Sequence, residues 1–149
     1  MKQFKYSFVV NCDIDKVWNF YTNINHLKVI TPKKMNLSIL KAQDEVLKEG
    51  ADIWLQAKLV TKATWHSKIT YLKQYEYVDE MISGRFKMWK HVHRFNKLNQ
   101  FKTEIIDQID YQIPYGFVGL LLEEYVMHRL YKTFEYRKQA TIDALKEKL

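Results

Sequence analysis

Three kinds of residue are scarce in this 149-residue chain, which has one cysteine, two prolines and four glycines. With Cys12 alone, no disulfide forms within the chain and no thiolate cluster can hold a metal, so a reducing compartment, the cytoplasm, is expected. No linker, repeat or low-complexity stretch divides the sequence, and residues 1–149 read as one domain. Long apolar runs are missing too. The opening MKQFKYSFVV alternates apolar and polar residues, the pattern of a strand rather than of a signal peptide or membrane span. Nor is there any concentrated block of charge. The net charge is +7 and the pI about 9.3, yet basic residues are spread among acidic ones and no basic run is longer than a pair such as Lys33-Lys34. Charge so dispersed solubilises a surface. Nucleic acid is not an expected partner, because no basic arm or RNA-recognition signature is present. Contact with an anionic membrane is expected to be weak at most.

What the chain has in abundance is aromatic residues, 15% of the total. That much apolar surface offsets chain entropy and excludes disorder. At this length folding should bury roughly 70% of the unfolded chain's surface, enough for a core and a cavity.

The periodicity changes along the chain in an orderly way. Lys2 to Cys12 alternates, with Phe4, Tyr6, Phe8 and Val10 on one face. Asp13 is the expected cap of a helix carrying Ile14, Val17, Trp18 and Tyr21 at helical spacing. A second short helix near His26 to Ile30 should stop before Pro32. Strands follow over Asn36 to Ala42, Ala51 to Lys62, Trp65 to Lys73 and Tyr75 to Ile82. A long hairpin comes next, with arms Phe86 to Phe95 and Phe101 to Ile113 joined by Asn96 to Gln100. The chain closes on a helix from about Leu120 to Lys146, roughly 40 Å long at 1.5 Å per residue. A stripe of Leu122, Val126, Leu130, Phe134, Arg137, Thr141 and Leu145 runs along it. Strands in succession, with helices at both ends, predict an α+β domain: an antiparallel sheet of about seven strands curved around the long helix, the helix-grip fold.

The hairpin carries the chemistry. One face of its first arm presents Trp89, His91, His93 and Phe95, and one face of its second presents Thr103, Ile105, Asp107, Ile109 and Tyr111. A buried polar group without a partner costs roughly 1–3 kcal/mol, so a mixed face suits a semi-polar pocket. Pairing Phe95 with Phe101 would set Trp89 opposite Asp107 and leave Asp107 diagonal to His91. Two imidazoles and a carboxylate can form a ligand set for zinc or iron. The plainer reading is imidazoles hydrogen-bonded to Asp107 and lining a pocket, with no metal and no cofactor.

Motifs along the whole chain resemble the START-like (SRPBCC) superfamily of polyketide-cyclase and lipid-transport proteins, and within it the small bacterial ligand-binding group. The likeness begins at Val17-Trp18-Asn19-Phe20 and Ile30-Thr31-Pro32. It is most specific at Gly84-Arg85-Phe86, Trp89-Lys90-His91-Val92-His93-Arg94-Phe95, Asp107-Gln108-Ile109-Asp110-Tyr111, Pro114-Tyr115-Gly116 and Phe134-Glu135-Tyr136-Arg137. Arg85 departs from the usual proline, which implies a looser turn. The resemblance implies a cavity for a hydrophobic or amphipathic small molecule such as a lipid, quinone or polyketide-like compound.

On this reading Trp89, His91, His93, Phe95, Ile105, Asp107, Ile109 and Tyr111 line the sheet side of the cavity. Leu122, Val126, Leu130 and Phe134 line the helix side, and Pro114 to Gly119 forms part of a gate. The expected role is binding or carriage, with no catalytic residue. The alternative is a cyclase- or hydrolase-like enzyme using His91 with Asp107 as an acid–base pair. An interaction module is a third class. Monomer and homodimer are both compatible with the sequence.

Overall fold

The computed structural model describes residues 1–114 and 116–146. Tyr115 of the expected gate lies outside the described residues, as do the side chain of Phe117 and the helix-end pair Glu147 and Lys148.

The chain forms β1 (Lys2–Val10), α1 (Ile14–Tyr21), two 3-10 turns (Ile24–Leu27 and Lys33–Met35), then β2 (Ser38–Ala42) and β3 (Asp52–Lys58). It continues through β4 (Lys62–Lys73), β5 (Glu76–Ser83), β6 (Met88–Asn99), β7 (Lys102–Gln112) and α2 (Gly116–Ala144). All seven strands join one antiparallel sheet in the order β1-β7-β6-β5-β4-β3-β2. The first strand thus returns to pair with the last, and the β6–β7 hairpin lies inside the sheet. Among the described residues no helix is long and apolar enough to cross a membrane.

Local chemistry accounts for most boundaries. The Asp13 carboxylate accepts from the backbone N–H of Asp15 and Lys16, which starts α1. The hairpin turn differs from expectation: β6 runs on to Asn99, and only Gln100 and Phe101 stand between the arms. The Asn99 side chain accepts from the Phe101 N–H, an Asx turn, and Phe101 is exposed at the tip instead of opening a strand. Phe95 therefore faces Ile105, not Phe101, His93 faces Asp107, and Trp89 faces Tyr111. Likewise Lys62 belongs to β4, because the chain turns at Leu59, whose N–H bonds the carbonyl of Thr61. At Arg85 the chain passes through bends over 84–87, and this residue's side chain ties the connection down. Its guanidinium donates to Thr61 Oγ1 and to the carbonyl of Lys62, tying the β5–β6 connection to the β3–β4 turn.

Two apolar clusters fill the concave side. One packs α1 against the sheet through Val17, Phe20, Tyr21, Phe8, Ile53, Leu55, Ile69, Tyr77, Phe95 and Ile105. The other packs α2 through Phe4, Ile109, Tyr111 and Phe134, with Trp89, Val126 and Leu130 at its margin. Along β7 the two are separated by Asp107, between Ile105 and Ile109. Along β6 they are separated by His91 and His93.

Burial falls off toward the start of α2. Phe134 is 4% exposed and Arg137 and Thr141 are buried, whereas Val126 and Leu130 are half-buried and Leu122 is 42% exposed. The second half of the helix is packed into the molecule; the first half is packed only at the margin, through Val126, Met127 and Leu130.

Candidate functional site

Three adjacent strands assemble the polar centre. Asp79 on β5 faces His91 on β6, and His93 on β6 faces Asp107 on β7, so two acids flank two imidazoles. His91 Nε2 lies 2.7 Å from Asp107 Oδ1, and His93 Nε2 lies 2.6 Å from Asp79 Oδ2. The remaining ring nitrogens make longer approaches: His93 Nδ1 to Asp107 Oδ1 at 3.4 Å and His91 Nδ1 to Asp79 Oδ2 at 3.9 Å. The imidazoles stack with centroids 3.6 Å apart, and Tyr77 stacks on His93 at 4.0 Å. From α2, the Arg137 guanidinium lies over the rings of Tyr21 and Phe134, 5.4 Å from each centroid. Thr141 bonds the Tyr21 hydroxyl at 2.8 Å.

This interior is sealed where the sequence suggested an open pocket. Asp107 is 0% exposed, and of the four flanking groups Asp79 reaches furthest toward solvent, with 21% of its side chain exposed.

The environment sets the charge of each group. Burial alone would raise the Asp107 carboxyl, but hydrogen bonds from His91 and His93, with the charge of Arg137, hold it well below the usual carboxylate range. Asp79 is held low against the same burial by its bond with His93 and by the neighbouring cations. Burial, then the charge on His93, pushes His91 down to about 4. For His93, burial is outweighed by its hydrogen bonds to Asp107 and Asp79, and its pKa rises. Near neutral pH the cluster therefore holds two carboxylates, one guanidinium and a neutral His91, with His93 shifted toward its protonated form. Positive groups set against the carboxylates are the condition for keeping ions in a low-dielectric interior.

A second feature lies at the open end of α2. A cleft of about 360 Å³ is bordered by Lys2, Lys87, Tyr111, Gln112, Ile113, Pro114, Gly116, Gly119, Leu120 and Glu123. Lys2 and Glu123 form an ion pair of 3.2 Å between β1 and α2 beside it. The Tyr111 hydroxyl is buried and, among the described residues, makes no hydrogen bond. Burial, then the charge of Glu123, raises its pKa, so it stays a neutral donor. Gly119 permits the close approach that shapes the cleft, since a Cβ there would sit 2.5 Å from the carbonyl oxygen of Pro114.

The sequence-predicted residues divide into groups. His91, His93 and Asp107 come together in the polar centre. Phe95 and Ile105 pack beneath α1. Ile109, Tyr111 and Phe134 form the cluster beneath α2, with Trp89, Val126 and Leu130 beside them; Leu122 points largely to solvent. Of the twelve, Tyr111 alone borders the cleft. Sequence reasoning missed Asp79, whose signal is a carboxylate on the same face of β5 as the buried Tyr77. It also missed Lys2, Lys87 and Glu123, ordinary surface charges until the fold gathers them.

No family model and no curated protein matches this sequence. Solved structures do resemble it. A Thermus thermophilus protein is 13% identical, with 97% of each chain covered and a TM-score of 0.75. A START superfamily protein from Mycobacterium smegmatis is 10% identical over 96% of each chain, with a TM-score of 0.72. Norcoclaurine synthase from Thalictrum flavum, in complex with dopamine and hydroxybenzaldehyde, is 12% identical. That match covers 99% of this chain and 89% of the synthase, with a TM-score of 0.71. The chain has a START-like, helix-grip fold.

Proposed function

We propose, from a START-like fold whose long helix is unpacked at its start, that this protein binds a hydrophobic or amphipathic small molecule. The ligand, of the lipid, quinone or polyketide-like class, occupies the cleft at Tyr111 and extends under the first half of α2. The observation that carries this reading is the Tyr111 hydroxyl, a buried donor without a partner in the wall of a cleft. Leaving it unpaired costs roughly 1–3 kcal/mol, which an oxygen on a ligand would recover. Ile113, Pro114 and Leu120 offer apolar walls, and Lys2 and Lys87 at the rim suit an acidic or phenolic head. The volume falls within the range of about 300–1,000 Å³ usual for small-molecule sites. In mechanism, apolar area provides affinity and the few polar groups fix orientation. Binding fits better than catalysis, because His91 and Asp107 are buried apart from the cleft lining.

The test is to extract natively purified protein for mass spectrometry and titrate the stripped protein with a dansyl-labelled fatty acid. A stoichiometric organic ligand, or saturable probe binding weakened about five- to tenfold in Tyr111→Phe, is the expected result. An empty protein that takes up no probe would overturn the reading.

A further inference from the structure

We infer that Asp79, His91 and His93 form a binding site for one divalent metal ion of the zinc type, with Asp107 as its orienting group. The three side chains offer one donor atom each, all within 4.8 Å of one another. The inference rests on how the two imidazoles are turned. Each ring points one nitrogen at the fully buried Asp107: His91 Nε2 at 2.7 Å and His93 Nδ1 at 3.4 Å. Each points its other nitrogen at the same oxygen, Asp79 Oδ2: His91 Nδ1 at 3.9 Å and His93 Nε2 at 2.6 Å. A histidine that binds a metal donates its second N–H to a carboxylate, which fixes tautomer and ring orientation. Here Asp107 holds that position by a hydrogen bond for His91 and only by proximity for His93, whose Nδ1 makes no hydrogen bond among the described residues, and the opposite nitrogens converge on a second carboxylate.

The distances are close to what a metal needs. Bonds of about 2.0–2.1 Å in tetrahedral geometry place donor atoms about 3.3 Å apart. His91 Nδ1 would approach Asp79, and His93 Nε2 withdraw from it, by less than an ångström each. Two nitrogens and one carboxylate oxygen suit zinc, cobalt or ferrous iron, and exclude the all-oxygen preference of calcium and magnesium. Asp79, the most exposed of the four, gives the ion its path in. Arg137 faces this group from α2, and its charge acts on both carboxylates. Tyr77 on His93 and Phe134 at the edge of His91 hold the rings in place.

The experiment titrates chelator-stripped protein with cobalt(II), followed by visible absorption, and then displaces the cobalt with zinc. One equivalent should bind with the d–d bands of a low-coordinate site. Asp79→Asn, a change at a partly exposed side chain, should weaken binding by about tenfold or more, while His66→Gln leaves it unchanged. A measurement on the unaltered protein needs no variant: zinc should shift the ring-nitrogen resonances of His91 and His93 and not those of His26, His66 and His128. Absence of binding, binding unaffected by Asp79→Asn, or shifts confined to His26, His66 and His128 would overturn the site.

Discussion

Asp107 holds the interior together at the level of single residues, because two imidazoles and the charge of Arg137 depend on it. Removing one member of a buried charged group leaves the others uncompensated, so Asp107→Ala should cost about 3–5 kcal/mol in urea unfolding. Asp52→Ala removes the analogous partner of His66 at a half-buried site, where water replaces it, and should cost clearly less. An equal loss in both would contradict the buried-cluster account. Tyr21 at the end of α1 and Tyr77 on β5 give a pH test. Burial is the main cause that raises Tyr21 to about 12, and Tyr77 is raised by the same cause. An unfolded tyrosine ionises near about 10. Stability from Tyr21 is therefore full below that value and lost as pH rises toward 12. Tyrosinate absorbance should show these two residues ionising together with unfolding; early, independent ionisation would contradict their burial. The inward set His91, His93 and Asp107 was legible in the sequence because strand parity is a local rule. Asp79 was not, since its one signal, a carboxylate on the Tyr77 face of β5, gains meaning only once β5 is known to neighbour β6.

Elements were read well wherever alternation was strong, and less well where turns lacked glycine or proline. The expected third strand runs on to Lys62 because Leu59 and Val60 prolong the apolar pattern through what is a turn, so that Lys62 opens β4 instead. The expected turn at Asn96 to Gln100 is misplaced because the exposed Phe101 imitates a strand opening, while the Asn99 cap that fixes the turn at Gln100 and Phe101 is a single side chain. Gly84 shows the reverse, a glycine required by packing. A Cβ there would meet Trp65 Cβ at 2.9 Å and crowd the Met81 side chain. Met81 can swing aside but a Cβ cannot, so Gly84→Ala should destabilise by about 1–3 kcal/mol in urea or thermal unfolding. A neutral effect would mean that the β5–β6 connection yields more easily than its tether through Arg85 implies.

For the whole molecule, the fold followed from the order of elements, whereas the location of the binding space did not. An i, i+4 stripe states which residues share a helix face, but not how far along the helix that face stays packed. In α2 the stripe is buried from Phe134 to Thr141 and opens toward Leu122, so the central space holds a paired ionic cluster and the accessible volume lies at the end near Tyr111. A separate groove beside Val29, Tyr136 and Gln139 lies against the other half of the helix and makes a natural control. The most direct measurement is paramagnetic broadening of assigned amide resonances by a spin-labelled fatty acid. The account predicts broadening at Lys87, Tyr111, Gln112, Ile113, Gly119, Leu120 and Glu123, abolished by unlabelled competitor. Broadening centred on Val29, Tyr136 and Gln139, or none at saturating probe, would contradict it.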